Sequence, residues 1–499
     1  METKKWYQKM PHVCILLLFI IIICAVLTYI IPAGEFDREQ IEGTSRAVVV
    51  AGSYHPVEQA PVSFMTTFKS LTKGFQATAN IIAMILFSSG AFKVMIEAGM
   101  VENLLGSLLG KVSKRSNSGP LVIWIVTFVF SVIGIFIGPE VHVPFTVVTV
   151  AIALAMGYDL IVGMAMVLGG SIGFATAPIN ASTIGTSDAI CGLPLFSGMA
   201  LRTCFWFCAT CVTCLIITHY AETVRKNPEK SYAKGIDTTG LSFKKDLSEC
   251  HMQGRDWGVL ACLIGIFAFT IIGCTQWGWY IDEMTTVFIL GGIAAGIVAG
   301  FSGNKIVECF IEGAKDVVFG AMCVGIANGI SVVLSEGHIL DSIIYYLSAP
   351  LAGLPTVLGG ILMTVVHGII NFFIPSGSGQ AAATMPIMFP IGDLIGLTKQ
   401  TSILCFQIGD GVTNIAIPTL GSLMAVCAVA RVPFEKWLKF AVRLVAGVYL
   451  VGWVFIAIAV AINWGPFKTA PARSRKDLLR AEFCLRLSAL LSCPIKWNL

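Results

Sequence analysis

Apolar residues occur in blocks of about 20 along most of the chain, and short polar segments separate the blocks. A helix of about 20 apolar residues crosses a hydrocarbon core roughly 30 Å thick. About twelve such blocks therefore predict an all-α polytopic membrane protein that lies in a lipid bilayer. The composition agrees, because 56% of the 499 residues are hydrophobic and 12% are charged. Such a composition excludes a soluble enzyme, and we predict no enzymatic activity and no catalytic residues.

The first apolar block, 12–31, follows three lysines, Lys4, Lys5 and Lys9. The block is longer than the apolar part of a signal peptide and lacks a small-residue cleavage site, so it predicts a retained first span. Basic residues favour the cytoplasmic side of a membrane, and the segment after this block is acidic. We therefore expect a multi-pass protein of the bacterial inner membrane with a cytoplasmic N-terminus.

The formal net charge is +4, and the basic residues lie mostly in loops between apolar blocks. This charge is too small and too dispersed to predict a nucleic-acid partner. Nearly all of the 16 cysteines lie inside apolar blocks, where they pack as small apolar side chains. The cysteines therefore predict neither a disulfide framework nor a metal site.

Two pairs of shorter apolar pieces are each interrupted by a turn, at Gly138-Pro139 and at 374–380, and each pair predicts a re-entrant hairpin. The charged loops then give this organisation: a first inverted repeat over 1–219, with a hairpin at about 121–156 and a broken helix over 160–189; a cytoplasmic loop over 220–256; a linking transmembrane helix over 257–275; and a second inverted repeat over 284–463, with a hairpin at about 356–391 and a broken helix over 400–424. The tail 464–499 is basic and counts as external, against the positive-inside rule, and we assign it no function.

A repeated pattern supports two related halves. One constant shift along the chain places Gly173 on Gly409 and Thr183 on Thr419. The single linking helix between the copies reverses the second copy relative to the membrane. Inverted repeats with broken helices are typical of secondary transporters, in which the substrate site lies near the middle of the membrane between the copies.

The broken helices and hairpin tips contain the candidate binding residues. The stretches 173–183 and 409–419 combine glycine, proline, asparagine and hydroxyl residues, and neither is expected to be unbroken helix. A break exposes N–H groups at one half-helix end and carbonyl groups at the other, so that a cation and an anionic group can be held together. The hairpin tips add Ser376, Ser378 and Gln380 on one side and Glu140 on the other.

Charged residues are sparse in this region. Asp410 lies inside the second stretch, and an intramembrane carboxylate is either a Na⁺ or H⁺ coupling site or a counter-ion for a cationic substrate group. The alternatives are that Asp410 only caps its half-helix and that Glu140 is a solvated tip residue. No Lys or Arg lies in either break or tip. This absence argues against a simple dianion, and the two acidic groups allow a positively charged substrate such as an amino acid.

The strings PSGSGQA and GDGVTN, within NFFIPSGSGQAAATMPIMFPIGDLIGLTKQ and QIGDGVTNIAIPTLGSLMAV, resemble the C4-dicarboxylate anaerobic carrier family, especially its branch of basic amino-acid (arginine/ornithine-type) antiporters. The resemblance covers about 4–464. It implies a fold similar to the ion-transporter superfamily, with inverted repeats, two hairpins, a dimerising scaffold and an elevator-like movement. It also implies that substrate carboxylate and coupling ion bind at Ser376, Ser378, Gln380, Asp410, Thr413 and Asn414, with Thr176, Asn180, Ser182 and Thr183 from the first half.

These observations predict a secondary active transporter for a small carboxylate-bearing metabolite, first of all an amino acid exchanged by antiport, with an elevator-type mechanism and a homodimer. A C4-dicarboxylate carrier coupled to Na⁺ or H⁺ is the alternative within transport, and an ion or solute channel is the alternative of another class. No cofactor is expected besides Na⁺ or H⁺ as coupling ion. The predicted substrate-binding residues are Ser376, Ser378, Gln380, Thr413, Asn414, Thr419, Glu140, Thr176, Asn180, Ser182 and Thr183, and the predicted ion-coupling residues are Asp410, Gly173 and Gly409.

Overall fold

The structure is a computed structural model that describes residues 13–40, 47–104, 107, 119–136, 138–194, 196–241, 250–277, 279 and 281–465. The lysines that predict a cytoplasmic N-terminus and nearly all of the tail 464–499 lie outside these residues.

Helices form most of the described chain. The first half contains α1 (Val13–Leu27), α2 (Phe64–Ala77), α3 (Ala79–Glu97), α4 (Gly119–Phe136), α5 (Thr146–Ala155), α6 (Leu160–Ala175), α7 (Thr186–Cys191) and α8 (Met199–Lys226). The second half contains α9 (Gly254–Gln276), α10 (Ile281–Val298), α11 (Gly303–Glu336), α12 (Leu340–Ser348), α13 (Thr356–Phe373), α14 (Gly377–Leu394), α15 (Lys399–Thr413), α16 (Gly421–Val429) and α17 (Phe434–Ala461). Shorter elements are the 3-10 turns Pro139–His142, Pro228–Lys230 and Ala349–Gly353 and the π turn Ala181–Gly185.

Within the described residues, eight helices are long and apolar enough to cross a membrane: α3, α4, α8, α9, α10, α11, α13 and α17. Three further apolar helices, α1, α5 and α6, are shorter. This inventory supports the predicted all-α multi-pass membrane protein. Helices α8 and α9 also extend into the segment predicted as a loop, 220–256, because α8 continues to Lys226 and α9 begins at Gly254.

Four two-residue strands, β1 (Gly34–Glu35), β2 (Arg38–Glu39), β3 (Val48–Val49) and β4 (His55–Pro56), lie between α1 and α2. They form two antiparallel pairs, β1 with β4 and β2 with β3. An ion pair between Arg38 and Asp341, 2.7 Å long, connects this segment to α12. The strands thus form a small cap that is attached to the second half of the chain.

The two halves share one order of elements. Each has a first hairpin helix, a proline-containing tip, a second hairpin helix, a half-helix, a break and another half-helix: α4, α5, α6 and α7 in the first half, and α13, α14, α15 and α16 in the second. The shift that places Gly173 on Gly409 also places Pro139 on Pro375 at the tips. The orientation of the copies relative to a membrane and the re-entrant character of the hairpins stay predictions.

The arms of the first hairpin differ in length, whereas those of the second hairpin each contain 18 residues. Both first arms, α4 and α13, contain 18 residues, which is nearly the length of a full span. The second arm of the first hairpin, α5, contains only 10 residues and is preceded by the 3-10 turn Pro139–His142. The sequence pattern predicts first arms at about 121–137 and 356–373, close to α4 and α13. The second arm predicted at about 141–156 is an α-helix only over Thr146–Ala155, and the one predicted at about 381–391 is longer, Gly377–Leu394.

Both breaks begin later than predicted. Helix α6 continues through Gly173 to Ala175, and α15 continues through Gly409 and Asp410 to Thr413. The non-helical residues are 176–180 and 414–420. Glycine costs a helix only about 1 kcal/mol relative to alanine, so the prolines Pro178 and Pro418 are better markers of the breaks than the glycines.

The glycines that precede the breaks serve helix packing instead. A Cβ atom at Gly173 would overlap the backbone of Ser131 in α4, and one at Gly409 would overlap the Thr364 carbonyl and His367 in α13. The predicted ion-coupling role of Gly173 and Gly409 thus has a structural alternative, because each glycine allows a hairpin helix to approach the half-helix closely.

Helices α6 and α15 form the centre of the protein. Every residue of α6 is buried, and α15 is buried over most of its length. The two helices meet where Gly411 faces the backbone of Ala175. The C-terminal ends of both half-helices, and hence both breaks, are therefore brought together in the interior.

Candidate functional site

The second break is held by the last turn of α13. The Nδ2 atom of Asn371 lies 2.6 Å from the Asp410 carbonyl oxygen, 2.8 Å from Thr413 Oγ1 and 2.8 Å from Asn414 Oδ1. On the other side, Trp437 Nε1 donates to the Ile415 carbonyl at 2.8 Å. Backbone groups released by a broken helix must be satisfied by other protein groups, and these side chains do so for the second break.

Asp410 lies in the last turn of α15, immediately before this break. Its side chain is 1% exposed, and neither carboxylate oxygen has a hydrogen-bond partner among the described residues. An unpaired carboxylate is costly to bury, so a cation, a proton or a cationic ligand group is needed to satisfy it. Asp410 is therefore the group of this region with the strongest electrostatic demand for a ligand.

The second hairpin tip lies beside this carboxylate. A Cβ atom built on Gly377 would be 3.5 Å from Asp410 Oδ2 and would overlap the Cγ2 methyl of Thr183. Gly377 is the first residue of α14, and the Ser376 hydroxyl caps this helix by accepting from the Gly379 N–H at 3.4 Å. The start of α14, the end of α15 and the first break thus meet at one place.

The first break is organised by Asn180. Its Oδ1 accepts from the Thr183 N–H at 3.1 Å and from the Thr183 hydroxyl at 3.2 Å, and its Nδ2 donates to the Ile135 carbonyl at 3.2 Å. The Thr176 hydroxyl donates to the Ile172 carbonyl at 2.8 Å, which closes the end of α6. Ser182 lies in the π turn Ala181–Gly185, and its side chain is outside the described set.

One side chain joins the two breaks directly. Gln407 in α15 donates from Nε2 to the Ala177 carbonyl in the first break, at 2.7 Å, and the Gln407 Oε1 atom has no partner among the described residues. Because the Ala177 carbonyl is one that the broken helix releases, this bond fixes the second half of the molecule to the first.

The other predicted residues of the second half differ in their burial and hydrogen bonding. Gln380 is fully buried and donates to the His367 carbonyl at 2.9 Å, while its Oε1 has no partner in the described part. Ser378 is also buried, and the buried Thr419 hydroxyl has no hydrogen-bond partner there. The Thr413 hydroxyl donates to the Gly409 carbonyl at 2.9 Å and accepts from Asn371.

Glu140 belongs to the other hairpin tip. The 3-10 turn that contains it packs against α3, α6 and α16. A Cβ atom on Gly138 would overlap Glu140 Oε2, so the carboxylate folds back over its own tip. No hydrogen bond or ion pair among the described residues joins Glu140 to Asp410, and the prediction that these two carboxylates share a substrate has no contact to support it.

The sequence pattern did not select Asn371, Gln407 or Trp437, although all three hold the breaks. Asn371 begins the string NFFIPSG, and a polar amide inside an apolar run was the available signal. Gln407 lies one turn before Asp410 on α15 and gave a similar signal. Trp437 gave none, since an aromatic residue in an apolar helix is ordinary.

Contact between the second tip and the first break can be tested at Gly377. Gly377→Ala is expected to lower substrate uptake about tenfold, since the new methyl group overlaps Thr183 and overpacking costs about 1–3 kcal/mol. Thr183→Ser removes the overlapping methyl but keeps the hydroxyl, so the double variant should recover most of the uptake. Gly353→Ala, which places its methyl in open space, is the matched control. If the single variant Gly377→Ala and the double variant Gly377→Ala/Thr183→Ser show the same uptake, Gly377 and Thr183 are not in contact.

The apolar helices define a multi-pass membrane protein, and two broken, buried half-helices lie in its interior. Residues 10–461 match the family described as C4-dicarboxylate anaerobic carrier. The Escherichia coli (strain K12) protein named "Putative basic amino acid antiporter YfcC" is 30% identical over 501 residues, which cover 92% of this chain and 96% of that protein. An uncharacterised Haemophilus influenzae protein is 24% identical and is covered over 99% of its length. The chain therefore belongs to the C4-dicarboxylate anaerobic carrier family and is a membrane transporter, which confirms the resemblance stated from the sequence.

Two solved transporter structures are similar to the chain. The Alcanivorax borkumensis YdaH transporter has a TM-score of 0.45 at 15% identity, covering 91% of this chain and 99% of its own. Neisseria gonorrhoeae MtrF, which is described as illuminating a class of antimetabolite efflux pumps, has a TM-score of 0.45 at 16% identity, covering 91% and 96%.

Proposed function

We propose that this transporter is a secondary active carrier for a small carboxylate-bearing metabolite, with an amino acid as the favoured substrate. The observation that carries the proposal is the buried Asp410 carboxylate, which lies next to Gly377 at the start of α14 and has no hydrogen-bond partner among the described residues. A negative charge and a helix N-terminus at one place can bind the two charged ends of an amino acid.

In this proposal the substrate carboxylate binds at the N-terminal turn of α14. The first N–H groups of a helix have no intrahelical partner and carry partial positive charge, so they bind anions without a basic side chain. Hydroxyl groups of Ser378, Thr183 and Thr419 and the amide of Asn414 complete the polar surface. Gln380 provides a free acceptor, Oε1, for a substrate N–H group.

Asp410 then acts as the charge partner of the cycle. In an antiporter it pairs with the ammonium group of each exchanged amino acid in turn. In a gradient-driven carrier it binds Na⁺ or H⁺ together with the substrate, and the carbonyl groups at the C-terminal end of α15 supply further oxygen ligands for Na⁺. If Gly173 and Gly409 take part in ion coupling, their carbonyl oxygens would be the ligands of Na⁺.

The name of the Escherichia coli relative favours a basic amino acid and antiport, and the family description favours a C4-dicarboxylate. The lack of Lys and Arg in both breaks and both tips supports the amino acid, since a dianion would need a second cationic partner. The dicarboxylate carrier stays the second candidate, because it would use Asp410 as the Na⁺ or H⁺ site. A channel is disfavoured, since a channel needs a continuous polar pore, whereas the polar residues Thr176, Asn180, Asp410 and Asn414 are buried in the protein interior.

The proposed transport cycle is elevator-type alternating access. The two hairpins, α6, α7, α15 and α16 would move as one body, and a scaffold would form the contact between two copies in a homodimer. Each hairpin contacts the second half-helix of the other half, α5 with α16 and α14 with α7, which would keep the moving body together. The bacterial inner membrane is the proposed location.

Uptake into proteoliposomes tests the proposed function. Labelled arginine, ornithine, aspartate and succinate are supplied outside, with or without the same compounds inside and with or without a Na⁺ or H⁺ gradient. Saturable arginine uptake that internal amino acid stimulates without a gradient is the expected result. Gradient-driven succinate uptake would favour the dicarboxylate carrier instead. An ohmic current without saturation would reject both carriers in favour of a channel.

The proposed orientation of the chain in the membrane has its own test. A membrane-impermeant maleimide should label Glu58→Cys in intact cells and Glu229→Cys only after the cells are opened, because the proposed topology places 34–60 outside and 220–256 inside. Both positions are exposed, and the parent chain measures the background from its native cysteines. The reverse labelling pattern would reject a cytoplasmic N-terminus.

A further inference from the structure

A second group of buried polar side chains lies at the start of α8 and α15, away from Asp410. Arg202 is fully buried, and its Nη1 donates to the Ser197 carbonyl at 2.5 Å. Its Nε and Nη2 atoms have no hydrogen-bond partner among the described residues. Its guanidinium group lies 5.2 Å from the centre of the Trp464 ring. A buried guanidinium with two free donors is costly, so this arginine needs an anionic partner.

The free donors are the pair that best fits a carboxylate. Nε–H and Nη2–H form one edge of the planar guanidinium, and two parallel N–H bonds along such an edge match the two oxygens of a carboxylate. Nη1, on the other edge, is already used by Ser197. The Ser197 carbonyl and the Trp464 ring thus hold the Arg202 side chain in place. The edge that would bind a carboxylate, Nε–H and Nη2–H, has no hydrogen-bond partner among the described residues.

Two buried acceptor atoms of the same cluster, Asp188 Oδ1 and Gln400 Oε1, also have no hydrogen-bond partner among the described residues. Asp188 accepts from the Phe196 N–H through Oδ2, at 2.7 Å, while its Oδ1 has no partner among the described residues. Asp188 attracts Arg202 electrostatically, but the two form no direct ion pair in the described part. Gln400 donates to the Ser197 hydroxyl and leaves its Oε1 free. Free donors and free acceptors in one buried cluster are complementary to a molecule that carries both charges.

We infer that Arg202, Asp188 and Gln400 form a second amino-acid site, in which the α-carboxylate binds to Arg202 and the α-ammonium group binds to Asp188 and Gln400. The inference rests on the proposed function, because it assigns the same substrate class to this site. Gln400 and Asp410 are both on α15, and ten residues of helix separate them by about 15 Å. The cluster is therefore a separate site near the N-terminal end of α15, and it contains a cationic group, Arg202, whereas no Lys or Arg lies in either break or either tip.

Lys399 adds to the attraction for anions. Its Nζ donates to the Cys191 carbonyl at 2.6 Å and lies 5.1 Å from the centre of the Phe389 ring. Because the cluster contains two basic residues, Arg202 and Lys399, and one acidic residue, Asp188, it favours a carboxylate that is joined to a cationic group over a simple cation. In the proposed topology it lies on the external side, where a substrate would bind before it reaches Asp410.

Binding stoichiometry tests the second site. Equilibrium binding of labelled arginine to the purified full chain should give two molecules per chain. Asp410→Asn should leave one, at the Arg202 cluster. Arg202→Lys should weaken that site by about 10- to 100-fold, since lysine keeps the charge but loses the paired N–H bonds. Agmatine, which is arginine without its carboxylate, should not compete at this site, and Arg225→Lys on the same helix is the matched control.

The outcomes separate the two proposals. One bound arginine that is lost in Asp410→Asn and kept in Arg202→Lys overturns the second site and leaves the proposed function intact. Loss of both sites in Arg202→Lys makes the arginine a folding element and also overturns the inference. Asp188→Asn provides a second variant, which should weaken arginine binding at the cluster because it removes the charge partner of the α-ammonium group. If arginine, ornithine, aspartate and succinate all fail to bind the wild-type chain, this result contradicts both the second site and the proposed function.

Discussion

Asp410→Asn is expected to abolish substrate uptake in proteoliposomes while the protein still inserts and folds. The variant keeps the side-chain shape and removes the negative charge that a substrate ammonium group, Na⁺ or H⁺ would use. Losing one partner of a buried charge pair costs about 2–5 kcal/mol. Uptake should therefore fall at least ~30-fold at a fixed substrate concentration. The unfolding temperature should not fall, because a buried amide costs less than an unpaired buried carboxylate.

Asp393→Asn is the matched control for this experiment. Asp393 is exposed and lies at the end of α14, before the turn that leads to α15. Asp393→Asn makes the same carboxylate-to-amide change at an exposed position, and uptake by this variant should stay near that of the wild type. Wild-type uptake by Asp410→Asn would remove the broken-helix carboxylate from the mechanism, whatever the control shows.

Asn371→Ala is expected to damage both uptake and stability. The two N–H bonds of the Asn371 amide are shared among three acceptors at the second break, the Asp410 carbonyl, Thr413 Oγ1 and Asn414 Oδ1. Each buried acceptor left without a donor costs about 1–3 kcal/mol. The variant should therefore unfold at a lower temperature in detergent, and its uptake should fall at least about tenfold as the break loses its geometry.

Asn371→Asp distinguishes hydrogen bonding from side-chain size. The aspartate has the same shape but presents an oxygen where the acceptors need an N–H, so it should be at least as damaging as alanine. Asn80→Ala, at an exposed position near the start of α3, should change neither uptake nor unfolding temperature. If Asn371→Asp instead behaves like the wild type, the amide does not organise the second break.

Much of the helical framework could be predicted from the sequence. Long apolar blocks specify membrane helices because unsatisfied backbone groups are too costly in a hydrocarbon layer. Proline favours helix ends and breaks because it cannot donate a backbone hydrogen bond, although Pro386 and Pro390 lie inside α14. For this reason the tips at Pro139 and Pro375 and the breaks at Pro178 and Pro418 fall where the sequence pattern predicted a tip or a break.

The details of the site were harder to predict. Gly173 and Gly409 looked like break residues, but each lies in a helix and allows a hairpin helix to pack closely. Asn371 was missed because its three partners lie about 40 residues further along the chain, and hydrogen bonds across that distance leave no local pattern. Glu140 was predicted near Asp410 from its position at the first hairpin tip, and the structure packs that tip against α3, α6 and α16.

The sequence by itself determined that this is a helical multi-pass membrane protein, that helices are interrupted near Pro178 and Pro418, and to which family the chain belongs. These properties depend on hydropathy, on proline and on short motifs, all of which are local. Only the tertiary structure decided which polar groups meet. It brings Gly377, Thr183 and Asp410 together and connects Gln407 to the first break. It also buries Arg202 with no hydrogen-bond partner for Nε and Nη2 among the described residues. The physical reason is that hydrogen bonds and charge pairs join residues that are distant in sequence, so packing selects the partners.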